Sequence, residues 1–344
     1  MLQQAVFLQA SDVHFIPKRN KGVVQFRIAG ELVEMEQLSY GYFERLISHF
    51  KFLSGLDIGE KRRPQNGSMD IMIQQKILHL RLSTLPSAYS ESLAIRLLPQ
   101  EETIDMHHLS LFPESVDQLC NLMVRASGLI LFTGPTGSGK TTILYSLLQY
   151  IQSQMKRQIV TLEDPVEKKV DSFLQMEINE KAGITYGEGF KSILRHDPDV
   201  IMIGEIRDEE TAKLVLRASL TGHLVLSTVH ARDSVGCLYR LLELGFTYRE
   251  LEQTLLGVVS QRLVLTKCPY CKEECHPVCF RRRKMKRMGV YEVLAERDLE
   301  NVLRWMEGAS FGDHVKYKTI KHYIQQGIAL GFLPESSYEK WIGE

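Results

Sequence analysis

The sequence predicts an α/β fold: a parallel sheet covered by helices on both faces, preceded by a small α+β domain and followed by a cysteine-containing helical region. Three observations carry this. Between Val116 and about Thr266, apolar strand-like runs ("LILFT", "IVTLE", "VIMIGE", "LVLSTVH") alternate with helix-like runs ("TTILYSLLQYIQSQ", "FKSILRH", "DEETAKLVLRASLTG", "SVGCLYRLLEL"), the order that builds βαβ units. The turn "GPTGSGKTT" joins the first of those strands to the first of those helices, the context of a phosphate-binding loop. The first hundred residues instead mix short alternating stretches with one amphipathic helix, so they belong to a differently built domain.

In chain order, "VVQFRIAGELVEM" (23 to 35) and "ILHLRLSTL" (77 to 85) read as strands and "YFERLISHFKFLSGL" as a helix, with turn signals at Gly30, Asn66-Gly67 and Pro86. This domain is expected over residues 1–99. The polar stretch "PQEETIDMHHLSLFPES" contains two prolines and no sustained period, which places a linker at 100–113. The phosphate-loop domain then covers 114–266, and residues 267–344 hold a cysteine loop and helical segments such as "RDLENVLRWMEG" and "TIKHYIQQGIALG". No internal repeat or low-complexity tract interrupts this order.

A chain of 344 residues has room for two or three domains. Its 44% apolar and 24% charged residues are the usual balance of a soluble protein, and no apolar run is long enough to span a bilayer. The N-terminal "MLQQAVFLQASDVHF" lacks the basic region and cleavage site of a secretory signal, so the chain is expected in the reducing cytoplasm, where its six cysteines do not form disulfides. With 42 basic and 42 acidic residues the formal charge is zero, which removes any global electrostatic case for a nucleic-acid partner.

Within "GPTGSGKTT" the glycines Gly134, Gly137 and Gly139 let the backbone wrap phosphate oxygens, with Pro135, Thr136, Ser138 and Thr142 completing the loop. Lys140 reaches the β- and γ-phosphates of a nucleoside triphosphate such as ATP, and the Thr141 hydroxyl can ligate Mg²⁺. "QIVTLEDPVE" puts Glu163 and Asp164, and "DPDVIMIGEIRD" puts Glu205, at the carboxyl ends of apolar strands, the ligand-binding edge of an open parallel sheet. Glu163 and Glu205 are expected to converge on the γ-phosphate, Glu205 activating water and Glu163 organising metal and water, although the two roles are interchangeable on sequence alone. His230 follows "LVLSTV" at the same edge and either hydrogen-bonds the γ-phosphate or is a structural histidine; His223 precedes that strand.

"CPYCKEECHPVC" holds Cys268, Cys271, Cys275 and Cys279, with His276 as a further donor. This compressed spacing admits structural zinc (Zn²⁺), another metal or free thiols. Cys120 and Cys237 read as helix-packing residues. "RRRKMKR" (281 to 287) is either a solvated face or a contact for anionic lipid headgroups or an acidic partner.

Together with "ASDVHF" (10 to 15), "RPQNGS" (63 to 68), "RLSTLPSAYSESLAIRLL" (81 to 98), "LEDPVE" (162 to 167), "RHDPDVIMIGEIRDEETA" (195 to 212), "TGHLVLSTVHA" (221 to 231) and "MGVYEVL" (288 to 294), these motifs resemble the bacterial ATPases of type II secretion, type IV pilus assembly and competence systems. The resemblance implies a PAS-like N-terminal domain tethered to a RecA-like domain in a hexameric ring, with ATP between the two domains. It also implies that Arg81 and Arg96 offer their guanidinium groups to the phosphates. Related assembly ATPases carry a tetracysteine zinc loop with a longer gap between its halves. "FRIAG" lacks the usual aspartate before glycine, and "PQNGS" replaces "PQDGR".

The wording is closer to the assembly branch than to the retraction branch. Because the chain starts almost directly at "ASDVHF", the extra N-terminal docking domain of pilus-assembly and type II enzymes is expected to be absent, as in the Gram-positive competence branch. The implied partners are further copies of the chain and a polytopic inner-membrane platform protein, with no direct nucleic-acid contact, and the implied location is the cytoplasmic face of the cell membrane. The expected activity is ATP hydrolysis that powers assembly of a pseudopilus for DNA uptake. The alternatives are a pilus retraction motor, a RecA-like DNA translocase and a nucleotide-gated scaffold without turnover.

Overall fold

Strict alternation over "SDVHFI" and "HLRLSTL" puts every second side chain on one face, and these segments are strands. The computed structural model describes residues 1–28, 31–73, 76–99, 106–271, 287–308 and 317–342. The chain divides into two units, Met1–Glu102 and Thr103–Glu344.

The first unit begins with α1 (Leu2–Phe7) and continues through β1 (Ala10–Pro17), β2 (Lys21–Ile28), β3 (Glu31–Ser39), α2 (Tyr40–Leu53), β4 (Gln65–Ile73), β5 (Lys76–Pro86) and β6 (Glu91–Pro99). Its sheet has the order β3-β2-β1-β6-β5-β4, with antiparallel neighbours throughout. Val13, Phe15, Leu80, Leu82 and Ile95 form the buried face and pack on Phe43, Ile47 and Phe50 of α2. On the other face one cross-strand row runs Arg27, Asp12, Arg96, Arg81, Ser68.

The turn signal at Asn66-Gly67 is overturned, because both residues lie inside β4. A Cβ on Gly67 would sit 2.9 Å from Leu56 Cδ2 and 3.0 Å from the Ser54 carbonyl, so here glycine admits the chain leaving α2 rather than turning a hairpin. Beneath the same region Lys51, 1% exposed, donates to both Glu91 oxygens (3.0 and 2.9 Å) and to the Glu60 carbonyl (2.7 Å). Removing one partner leaves a buried charge unpaired, so Lys51→Met is expected to destabilise the fold by about 3–5 kcal/mol. Adding Glu91→Leu should recover much of that loss; urea denaturation of both variants measures it.

The second unit contains α3 (Pro113–Met123), β7 (Gly128–Thr133), α4 (Lys140–Met155), β8 (Ile159–Glu163), β9 (Leu174–Glu177), α5 (Tyr186–Ile193), β10 (Val200–Ile203), α6 (Glu209–Leu220), β11 (Leu224–Val229), α7 (Ser234–Glu243) and α8 (Tyr248–Thr254). It ends with β12 (Leu255–Leu265), β13 (Arg287–Ala295), α9 (Glu296–Met306), α10 (Ile320–Ala329) and α11 (Ser336–Ile342). The sheet order is β13-β12-β7-β11-β10-β8-β9; all pairs are parallel except β12 with β13. Every residue of β7, β8, β10 and β11 is buried, as strands covered on both faces require. One core packs α5 to α9 on the first face, and another packs α3 and α4 on the second. This is the predicted α/β fold. Asp208, Asp233 and Thr247 cap the starts of α6, α7 and α8 through their side-chain oxygens.

Two further parts of the sequence reading differ from the structure. The region after Lys267 is not only helical, because "RMGVYEVLA" forms β13 and completes the sheet. The stretch read as a linker to residue 113 docks earlier: Leu109 and Phe112 are buried, and the Leu111 N–H donates to the Gly289 carbonyl at 2.9 Å. A Cβ on Gly289 would meet Tyr291 Oη at 2.3 Å and the Leu109 carbonyl at 2.6 Å, so glycine permits this docking.

Candidate active site

The loop from Gly134 to Gly139 connects β7 to α4, and Gly134, Gly137 and Gly139 have φ of 147°, 77° and 87°, a region side chains disfavour. A Cβ on Gly134 would lie 2.6 Å from the Gln261 carbonyl and 2.9 Å from Ser138 Oγ, so the loop is a cradle that only glycine fits. Pro135, Thr136 and Gly137 are exposed, Ser138 is buried, Thr141 is half-buried and Thr142 exposed. Lys140 Nζ donates to the carbonyls of Gly134 (2.7 Å) and Pro135 (3.2 Å). Burial, then the nearby Arg262 cation, pull the Lys140 pKa below its ordinary value against the opposing charge of Glu205.

Glu205 lies just beyond β10, held from two sides. Its Oε2 accepts from Arg207 Nε at 2.9 Å, and its Oε1 is 3.3 Å from His230 Nε2. Arg207 also reaches Asp164 Oδ2 at 3.5 Å. Two of the predicted residues, Glu205 and His230, are thus in contact at the carboxyl ends of β10 and β11, and the Glu205 charge acts on Lys140.

Glu163 is placed differently from the expectation. The sequence places it beside Glu205 at the open edge, but its carboxylate is buried beneath α4, 2.8 and 2.7 Å from the Tyr145 hydroxyl, with Thr161 Oγ1 donating at 2.6 Å. Alternation along β8 is the cause: Glu163 shares the α4-facing side with Ile159 and Thr161, leaving Asp164 as the exposed acid of that strand end. Burial raises the Glu163 pKa, opposed by the hydrogen bonds from Thr161, Tyr145 and Gln175. Burial followed by the charge of Glu163 also raises that of Tyr145. Tyr186, among Asp164, Glu205 and Glu163, is pushed up to about 12, chiefly by burial.

Arg81 and Arg96 are cross-strand neighbours in the first unit, and Arg96 Nε donates to Asp12 Oδ1 at 3.0 Å. Cys268 and Cys271 are half-buried, whereas Cys275, Cys279, His276 and most of "RRRKMKR" (281 to 286) lie outside the described residues. Among the described residues no cluster of three or more His, Cys, Asp or Glu is placed to hold a metal ion, and no helix is long and apolar enough to cross a membrane.

Sequence reasoning missed Arg207, Tyr145, Gln261 and Arg262. Arg207 had a signal, since it stands two residues beyond Glu205 past a strand end. Tyr145 had a weaker one, one turn from Thr141 on the same helix. Gln261 and Arg262 had none, because nothing marked β12 as the neighbour of β7.

The family model described as type II/IV secretion system protein matches residues 1–334. The chain is 45% identical over 343 residues to competence protein ComGA of Bacillus subtilis (strain 168), covering 99% of this chain and 96% of that one. It is 43% identical over 274 residues to the type II secretion system ATPase E of Vibrio cholerae, covering 79% of this chain and 54% of that one. Among solved structures, the pilus retraction motor PilT with bound ADP superposes with a TM-score of 0.75 at 25% identity, covering 100% of this chain and 96% of that one. The Legionella pneumophila ATPase DotB gives 0.75 at 20% identity, over 99% and 94% of the two chains, a likeness of fold. Matched by a family model over residues 1–334 and 45% identical to a relative along nearly the whole of both chains, this chain belongs to the type II/IV secretion system protein family.

Proposed function

We propose that the chain binds ATP with Mg²⁺ and hydrolyses it as the cytoplasmic motor that assembles a competence pseudopilus for DNA uptake. The observation that carries the chemistry is the Glu205 carboxylate, held between His230 and Arg207 at the carboxyl ends of β10 and β11. A carboxylate so placed orients a water and takes its proton as the water attacks the γ-phosphorus. The glycine cradle and Lys140 grip the phosphates, and Thr141, at the start of α4, is the hydroxyl that fits Mg²⁺. Mg²⁺, when bound, draws charge from the phosphate oxygens. Glu163, enclosed by Tyr145 and Thr161, keeps the sheet edge and α4 in register. Arg81 and Arg96 are the cations that the family resemblance assigns to phosphate.

The competence reading follows the 45% identity to ComGA along nearly the whole of both chains. The likeness to PilT favours a second reading, retraction. A ring of six copies acting on a polytopic membrane platform protein completes the proposal. Deletion of the gene in its own bacterium separates the readings: loss of transformation and of surface pseudopili, not restored by a Lys140→Ala allele, is expected. Excess filaments on deletion would establish retraction instead.

A further inference from the structure

His230 depends for its place on the loop that follows it, and three side chains from three strands fasten that loop. Thr133 Oγ1, at the end of β7, accepts from the Ala231 N–H at 3.0 Å and lies 3.1 Å from the Ala231 carbonyl. Arg262 of β12 donates through Nη2 to the Arg232 carbonyl and through Nη1 to the Gln261 carbonyl at 2.9 Å. Glu292 of β13 accepts the Ser234 N–H, the first of α7, at 3.1 Å. Residues 231, 232 and 234 are therefore each tied down immediately after His230.

The Glu292 carboxylate has a second task. Its other oxygen accepts the Ile320 N–H, the first of α10, at 2.9 Å. One buried carboxylate thus receives the starts of two helices, where free N–H groups and the positive end of the helix dipole favour an anion. Arg262, 8% exposed, lies on the same face of the β12–β13 ladder, and its guanidinium is 5.9 Å from the Trp341 ring centroid on α11. The hydrolytic roles proposed above use neither Arg262 nor Glu292.

Resting on the hydrolytic reading above, we propose that Arg262 and Glu292 are positioning residues for ATP cleavage. They fix the β11–α7 loop so that His230 stays on Glu205, and they make the start of α10 part of the active-site frame. A residue that acts only by holding another should lose its effect when that other is gone.

The test is a cycle of kcat and KM for ATP over wild type, Glu292→Gln, Arg262→Lys, His230→Ala and each double variant with His230→Ala. Glutamine has one acceptor oxygen for two N–H donors, and lysine lacks the fork that reaches two carbonyls. Each single substitution should lower kcat about tenfold with KM unchanged, because a small misplacement of a working group costs rate rather than binding. In the His230→Ala background neither should lower kcat further. If Glu292→Gln does not fold, Ser234→Pro removes the N–H at the first position of α7, where proline is tolerated, together with the buried Ser234 hydroxyl, for which Ser234→Ala is the control.

An equal loss with and without His230, a change confined to KM, or a wild-type kcat in His230→Ala would overturn the inference. Lys140→Ala in the same assay separates the two proposals. Turnover lost in Lys140→Ala beside an additive cycle overturns only the positioning role, whereas wild type without turnover overturns the hydrolytic reading and the positioning role with it.

Discussion

Lys140→Ala lowers ATP turnover by the purified chain roughly a hundredfold or more, the scale seen when a preorganised charge is removed from a transferring group. In the structure the ammonium donates to two carbonyls of its own loop, Gly134 and Pro135, at 2.7 and 3.2 Å. That places the cation over the glycine cradle, and burial there makes its charge count for more than it would in water. Alanine removes the charge and leaves those carbonyls lining the cradle. Nucleotide affinity should fall together with rate, so phosphate release and binding of a fluorescent ATP analogue are measured side by side. Unchanged phosphate release would show that the loop is not where the triphosphate sits.

Glu205→Gln separates binding from chemistry. Glutamine keeps the shape and one acceptor oxygen, so Arg207 and His230 retain a partner, but it cannot take a proton from water. The expected result is a kcat lower by about 10² to 10⁴-fold with ATP affinity within about threefold of wild type, in the sense that only an interaction used in the transition state is lost. Asp164→Asn is the comparison at the neighbouring strand end: it reaches Arg207 at 3.5 Å and should cost much less.

The parallel sheet was legible because β7, β8, β10 and β11 are each buried on both faces, so most of their residues are apolar. The phosphate loop was legible for a related reason, since the glycines that the backbone needs cannot be exchanged. What one-dimensional patterning missed is side-chain direction at strand ends. Glu163 and Asp164 are adjacent in sequence, yet one is buried under α4 and the other exposed beside Arg207. The same blindness hid β13. "MGVYEVL" follows a basic run, and its pairing partner β12 is visible only once β12 has been laid beside β7. Asn66-Gly67 misled because a glycine needed for close approach carries the same letter as a glycine needed for a turn.

The grouping of Lys140, Glu205 and His230 makes one central claim, that a triphosphate held in the cradle is cut by a water that Glu205 activates. A single-turnover experiment with γ-labelled ATP and excess protein, comparing wild type with Glu205→Gln, tests it most directly. Both proteins should retain the nucleotide on a filter, with labelled phosphate released only by wild type. Equal release from the two, or bound ATP that wild type leaves intact, would contradict it.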